Sequence, residues 1–428
     1  MESIPAGSES AARAILVSVA LKGGADWEAE DSLDELARLA DTLGSIVVDR
    51  VSQQRGRPDP ATYLGQGKAQ ELGEHVRREQ ATQVIFDCEL SPAQERNLTR
   101  LLGVEVMDRT LLILEIFARR ARSHESKTQV ELARSEYYLS HVAGRWSHLE
   151  RQRGSLSARA GPGETQIEVD RRILRDRIRR LRRDLEKIAR ARAVRRAPRE
   201  AFFQIAFVGY TNAGKSTLFN ALTKARVFVE DRLFATLDST VRSMRGPFGE
   251  TMLLTDTVGF LRKLPPRLVA SFQSTLEELA QADLLLEVVD VSHPRFAEQM
   301  QTTEGILADL RLHELPRLRI FNKTDRAEDA HLERARRLCP DALFVCAREE
   351  KSIAALREAF LGRVAASYKE DTVEVNLVRE PKVRASIHEL AHVLDENIQD
   401  SKAVLRFRTS PRRYARIREI LDASAGDG

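Results

Sequence analysis

From Ala14 to about Arg120, short β-branched runs alternate with stretches whose apolar residues recur every three or four positions: AILVSVAL, DSLDELARLADTLG, IVVDRV, GKAQELGEHVRRE, TQVIFD, PAQERNLTRLLG, VEVMD and LLILEIFARRA. The first kind of run suits strands and the second suits helices, so the alternation predicts a small parallel α/β domain over residues 1–120.

The period then changes. Leu132, Ser135, Leu139, Val142, Trp146 and Leu149 are spaced 3, 4, 3, 4, 3, and Leu174, Ile178, Leu181, Leu185 and Ile188 are spaced 4, 3, 4, 3. Both series read as heptad seams. Between them RQRGSLSARAGPGE, from Arg151 to Glu164, carries glycines and a proline that stop either helix from running through. The pattern predicts an antiparallel two-helix hairpin over 121–199, with Arg151, Arg153 and Arg159 at or beside its tip.

After the arginine-rich stretch RARAVRRAPRE, strand-like runs recur at FFQIAFV, MLLTD, DLLLEVVDV, LRIFN and ALFVCA, separated by helical stretches. Residues 200–366 are therefore expected to form a doubly wound α/β sheet with its loops at the carboxyl ends of the strands. The remainder, 367–428, reads strand TVEVNLV, helix KVRASIHELAHVL, strand AVLRFR and helix RRYARIREIL, a small βαβα unit.

Composition adds little to this division and charge adds more. A chain of 428 residues with 42% apolar and 31% charged residues suits several soluble domains rather than one core. The formal net charge is only +4, but Arg171 to Glu200 holds 14 Arg or Lys against 4 Asp or Glu. Such a stretch is either a solvated helix face or a phosphate-binding surface. The three cysteines, Cys88, Cys339 and Cys346, have no metal-ligand spacing. The apolar runs are too short to span a bilayer, so a cytoplasmic chain without a membrane span is expected.

The strongest local pattern is GYTNAGKST, comprising Gly209, Tyr210, Thr211, Asn212, Ala213, Gly214, Lys215, Ser216 and Thr217, directly after a predicted strand. It matches G-x-x-x-x-G-K-[ST], whose glycines let backbone N–H groups turn toward phosphates at the start of a helix. Lys215 can span the β and γ phosphates, and the Ser216 hydroxyl can take a magnesium position. By contrast, Gly65-Gln66-Gly67-Lys68 before a predicted helix reads as a plain turn more readily than as a phosphate loop.

Asn322, Lys323, Thr324 and Asp325 follow the strand LRIFN. A carboxylate there can accept hydrogen bonds from the N1–H and exocyclic amino group of guanine, a pair that adenine does not present, so GTP is expected rather than ATP. Lys323 is expected to lie along the nucleotide. Backbone N–H groups of Val345, Cys346 and Ala347 are expected to face guanine O6. Asp256, Thr257, Val258 and Gly259 follow strand MLLTD and read as the second switch, with the Gly259 N–H near the γ phosphate. Thr236, in LFATLDST, suits the other switch contact to magnesium and γ phosphate. Lys215, Thr236 and Gly259 are the candidate catalytic groups. Many GTPases place a water-orienting glutamine after the switch glycine; here that residue is Phe260, which predicts slow intrinsic hydrolysis completed by a partner.

The same order of segments resembles the HflX family of ribosome-binding GTPases, within the Obg-HflX superfamily. Beyond the nucleotide motifs, the resemblance rests on PDPATYLGQGKAQEL (Pro58 to Leu72), FDCELSPAQERNL (Phe86 to Leu98), VMDRTLLILEIFARRARSHESKTQVELA (Val106 to Ala133), GPGETQIEVDRR (Gly161 to Arg172) and DTVGFLRKLPPRLVASFQSTLEE (Asp256 to Glu278). It implies a GTP hydrolase, using magnesium, that binds the large ribosomal subunit and its RNA and promotes splitting, rescue or recycling of ribosomes, acting as a monomer with peripheral membrane association left open. It carries nucleotide roles to Gly209 through Ser216, Phe234, Ala235, Thr236, Leu237 and Asp238, Asp256 through Gly259, Asn322 through Asp325, and Cys346 with Ala347, and magnesium to Ser216 and Thr236. The sequence departs from the family at the hairpin tip, where Ser155, Leu156 and Ser157 replace the usual glycine run, and at Cys346, where serine is usual. A regulatory GTP-dependent interaction module and an ATP-using ribosomal RNA remodeller are the competing functions.

Overall fold

The computed structural model describes residues 11–21, 26–142, 166–196, 202–223, 233–234, 236–263, 279–378 and 381–426. The contacts divide the chain into two units. The first contains residues up to Ile188, together with Leu233, Phe234, Thr236, Leu237 and Lys263; the second contains the rest.

In the first unit, β1 (Arg13–Leu21), β2 (Ile46–Arg55), β3 (Gln83–Phe86) and β4 (Glu105–Asp108) form an all-parallel sheet in the order β2-β1-β3-β4. Connections pass through α1 (Asp26–Leu43), α2 (Gln66–Arg78) and α3 (Pro92–Leu102), as the alternation predicts. Helix α3 starts where its sequence says it should. Ser91 Oγ accepts the Gln94 N–H at 3.3 Å, Gln94 Oε1 accepts the Ser91 N–H at 2.9 Å, and Pro92 fills the first turn. The core joins Ile15, Val17, Leu72, Val84, Phe86 and Leu98. A buried charge cluster lies beside it: Arg109 donates to Asp87 at 2.6 Å and also pairs with Glu35, while Lys263 reaches Asp87 at 2.6 Å.

Helix α4 (Arg109–Arg120) is followed by α5 (His124–His141) and α6 (Gln166–Arg196). The two predicted seams do meet, with Leu132 packed on Ile178 and Leu181 and flanked by Leu139 and Leu185. Ion pairs Arg177–Glu131 at 2.5 Å and Arg182–Glu136 at 2.7 Å border this contact. Helix α5 is more than one arm of a hairpin, however. Its Tyr137 is buried, and His141 is both stacked on Tyr137 and bonded to the Leu90 carbonyl at 3.1 Å, so this helix is also built into the α/β domain. Trp146, Leu149, Arg151, Arg153 and Arg159 lie outside the described residues.

The second unit contains a six-stranded sheet in the order β10-β9-β8-β5-β7-β6. Its strands are β5 (Phe203–Val208), β6 (Thr240–Arg245), β7 (Thr251–Asp256), β8 (Leu284–Asp290), β9 (Arg317–Asn322) and β10 (Leu343–Phe344). Five run parallel; β6, which the sequence pattern does not predict, pairs antiparallel to β7 at the edge. Its burial is mixed and only Met244 is fully buried, because an edge strand needs no alternating apolar face. The associated helices are α7 (Lys215–Thr223), α8 (Phe296–Asp309), α9 (Asp329–Leu338) and α10 (Glu350–Ser367). Phe207, Leu218, Phe219, Leu254, Leu286 and Ile320 fill the core beside α7 and α10.

The carboxyl-terminal part corrects the βαβα expectation. It runs β11 (Lys369–Asn376), α11 (Pro381–Leu390), β12 (His392–Gln399), β13 (Lys402–Thr409) and α12 (Pro411–Gly426), with a fully antiparallel sheet ordered β11-β13-β12. The sequence reading extended α11 through AHVL; instead the chain turns at Ala391 into a largely exposed edge strand that returns through Asp400, at φ 54°. This part is pinned to the six-stranded sheet. Tyr368 Oη donates to Glu250 at 2.6 Å, the Arg408 guanidinium lies 4.3 Å from the Phe248 ring centre, and Arg412 pairs with Asp283 at 3.3 Å. Among the described residues, no helix is long and apolar enough to cross a membrane.

Candidate functional site

Parallel strands place their following loops on one edge of a sheet, and four of the predicted motifs lie on that edge. Gly209 follows β5, Asp256 ends β7, Asn322 ends β9, and Val345 follows β10. The first loop is shaped by close backbone approach. Gly209 has φ 138°, and a Cβ on it would stand 2.1 Å from the Val288 carbonyl oxygen; Gly214 has φ 97°, and a Cβ there would stand 2.1 Å from Asn322 Nδ2. Only glycine fits either position. Asn212 between them also adopts a left-handed φ of 60°.

Lys215 opens α7, and its buried ammonium donates to the carbonyls of Gly209 at 3.1 Å and Tyr210 at 2.8 Å. Burial pushes its pKa down to about 8; the Asp256 carboxylate opposes this shift and the Lys323 charge adds to it. Ser216 Oγ donates to Asp256 Oδ2 at 2.5 Å. A hydroxyl and a carboxylate meeting beside a lysine and a helix N-terminus form a hard oxygen-donor set, which fits magnesium.

The Asp256 loop lies directly on the phosphate loop. Thr257 Oγ1 donates to the Phe207 carbonyl at 2.6 Å. A Cβ on Gly259 would stand 2.6 Å from Thr211 Cα and 2.9 Å from Lys215 Nζ, so the two loops touch through main chain at this point. Phe260 is 3% exposed and packs with Val208, Leu279, Leu285 and Leu307.

Asn322 joins two loops: its Nδ2 donates to the Ala213 carbonyl at 2.9 Å, and its Oδ1 accepts the Ala347 N–H at 3.1 Å. Lys323, at φ 64°, is held by Asp290 at 2.6 Å. Asp325 sits in the 3-10 turn Thr324–Arg326 with its carboxylate 3.9 Å from Arg326, beside the Cys346 thiol. The N–H groups expected to face guanine O6 are engaged within the protein. Val345 donates to the Phe321 carbonyl at 2.8 Å, Cys346 to Ser352 Oγ at 2.8 Å, and Ala347 to Asn322.

Phe234, Thr236 and Leu237 are described with the first unit, where the Phe234 ring meets Phe117 edge-on at 4.7 Å; Asp238 belongs to the second unit, and Ala235 lies outside the described residues. The Gly65-Gln66-Gly67-Lys68 turn is internally satisfied, with the Gly65 N–H donated to Gln53 at 2.9 Å and Lys68 paired with Glu71 at 2.7 Å. Sequence reasoning missed the roles of Asp290 and Ser352. Asp290 ends β8 on the same sheet edge, a position that could have drawn notice; Ser352 carries no local signal.

Three family descriptions match along the chain: "GTP-binding GTPase N-terminal" over residues 30–118, "GTP-binding GTPase Middle Region" over 120–199 and "50S ribosome-binding GTPase" over 204–323. The protein named GTPase HflX of Escherichia coli (strain K12) is 40% identical over 397 residues, spanning 92% of this chain and 92% of its own. The GTPase HflX of Flavobacterium psychrophilum is 46% identical over 316 residues, 73% of this chain and 75% of its own. Among solved structures, a GTP-binding protein from the archaeon Sulfolobus solfataricus in complex with GDP is 25% identical, with 81% of this chain and 97% of that chain covered at a TM-score of 0.44.

Proposed function

From the chain's membership of the HflX family of GTPases, we propose that this GTP hydrolase acts on the large ribosomal subunit, where nucleotide-dependent binding drives ribosome splitting, rescue or recycling. The observation that carries the reading is the joint match of the middle-region and ribosome-binding GTPase families to one chain whose Lys215, Asp256 and Asn322 converge on one sheet edge.

In this reading the main-chain N–H groups of the Gly209 to Thr217 loop bind the phosphates, and Lys215 supplies a desolvated positive charge where negative charge grows in the transition state. Ser216 and Asp256 would hold magnesium, and Thr236, by family resemblance, would add a hydroxyl from the other switch. When bound, the ion neutralises the charge on the phosphate oxygens. Asp325 reads the base. With the Val345, Cys346 and Ala347 amides already engaged, guanine recognition rests chiefly on that carboxylate. The buried Phe260 ring offers no polar atom to orient water, so the free protein hydrolyses GTP slowly and the ribosome completes the arrangement. The chain is proposed to work in the cytoplasm as a monomer.

RNA contact is proposed for the segment carrying Arg151, Arg153 and Arg159. Reversing all three to Glu should leave GTP affinity within about twofold while weakening association with large subunits and abolishing splitting, since each lost phosphate contact lowers both affinity and its salt dependence. Nucleotide binding by fluorescence and subunit separation on gradients at two salt concentrations test this together. Wild-type splitting by the triple variant would exclude the tip as the RNA-contacting element.

A further inference from the structure

Tyr210 follows the first glycine of the phosphate loop, and its side chain reaches the switch segment. The residue is 6% exposed, and its hydroxyl oxygen accepts a 3.0 Å hydrogen bond from the backbone N–H of Arg262, three positions beyond Gly259. Two main-chain bonds run beside it: the Phe260 N–H donates to the Gly209 carbonyl at 3.1 Å, and the Thr211 N–H donates to the Phe260 carbonyl at 2.7 Å. Tyr210 and Phe260 thereby form a short parallel bridge. The packing at Gly259 then sets the register, since its Cα side faces Thr211 Cα and Lys215 Nζ.

We propose that Tyr210 is a positioning residue for hydrolysis, its phenol holding the Phe260–Arg262 backbone so that Gly259 stays beside Lys215 when a γ phosphate is present. This rests on the assignment of Gly209 to Thr217 and Asp256 to Gly259 as the nucleotide loops. A buried tyrosine contributes apolar packing through its ring and a single hydrogen bond through its hydroxyl, so the two roles separate chemically. The Phe260 side chain adds apolar burial to the two main-chain bonds of that residue. The phenol thus supplies a side-chain hydrogen bond that helps hold Arg262 in register with the phosphate loop. Polyphosphates lacking the γ group do not depend on where Gly259 lies, which makes the effect selective for GTP turnover.

Tyr210→Phe keeps the ring and removes the hydroxyl that accepts the Arg262 N–H. A net hydrogen bond felt in the transition state corresponds to roughly a five- to tenfold change in rate. The expected result is a GDP affinity within about twofold of wild type, a single-turnover rate at saturating GTP lowered roughly tenfold with little change in KM, and faster amide exchange in the segment containing Arg262. Lys215→Ala serves as the control and should lose nucleotide binding. A Tyr210→Phe rate within twofold of wild type would overturn the proposal, as would GDP and GTP affinities falling in parallel while the saturated rate held. Retention of wild-type nucleotide affinity by Lys215→Ala would instead overturn the underlying loop assignment.

Discussion

Asp325 is one-third exposed, and its carboxylate makes only a long, 3.9 Å ion pair with Arg326. That suits the base-reading role proposed for it, in which it accepts two hydrogen bonds from guanine. Asp325→Asn should therefore lower GTP affinity by about 1.5–3 kcal/mol for each charged hydrogen bond lost and raise affinity for xanthine nucleotide, whose extra carbonyl matches the amide donor. Competition binding with GTP, GDP and the xanthine nucleotides reads this directly, and equal losses for every base would make Asp325 a structural residue. At this scale the sequence was legible where a residue type is obligatory. Gly209 and Gly214 have no room for a Cβ, and a reader of the chain alone can place them. It was not legible where any of several residues would serve, as with the Asp290 that holds Lys323 and the Ser352 that accepts the Cys346 amide.

Among the elements, α4 shows how a cap can carry pH dependence. Its N-cap Asp108 accepts the Leu111 N–H at 2.8 Å and the Leu90 N–H at 3.2 Å from a buried position. Burial pushes its pKa up to about 6, with the two amide bonds and His141 opposing and Glu95 adding to the rise. A carboxyl whose folded pKa exceeds its unfolded value stabilises most below the unfolded pKa and loses that contribution as pH rises through the folded one. Wild type should therefore lose stability relative to Asp108→Asn as pH rises from about 4 to about 7, measured by urea unfolding of both proteins across that range. A difference between them that stays constant with pH would contradict the assignment. Element prediction itself succeeded where burial imposes a period, as in β1 to β4 and the α5–α6 seam. It failed at β6 and β12, edge strands paired on one side and largely solvated on both faces, where ladder bonds form without any apolar pattern to announce them.

For the whole molecule, the matched families run nearly end to end from residue 30 to residue 323, joining an α/β domain, a basic helical region and a GTPase domain in one chain. Helix α6 presents Arg171, Arg172, Arg175, Arg179, Arg182 and Arg183 at the surface, with Arg182 paired to Glu136, a basic face of the kind that the proposed contact with ribosomal RNA requires. The GTPase domain, meanwhile, contains the phosphate-loop lysine and switch glycine but puts a buried phenylalanine where a water-orienting side chain would stand. Both features accord with the proposal that a large, anionic partner completes the reaction. The most direct measurement is single-turnover GTP hydrolysis by the full chain, alone and with purified large ribosomal subunits, at low and moderate salt. The account predicts slow hydrolysis by the free protein and a marked rise with large subunits that weakens as salt increases; equal rates with and without subunits would contradict it.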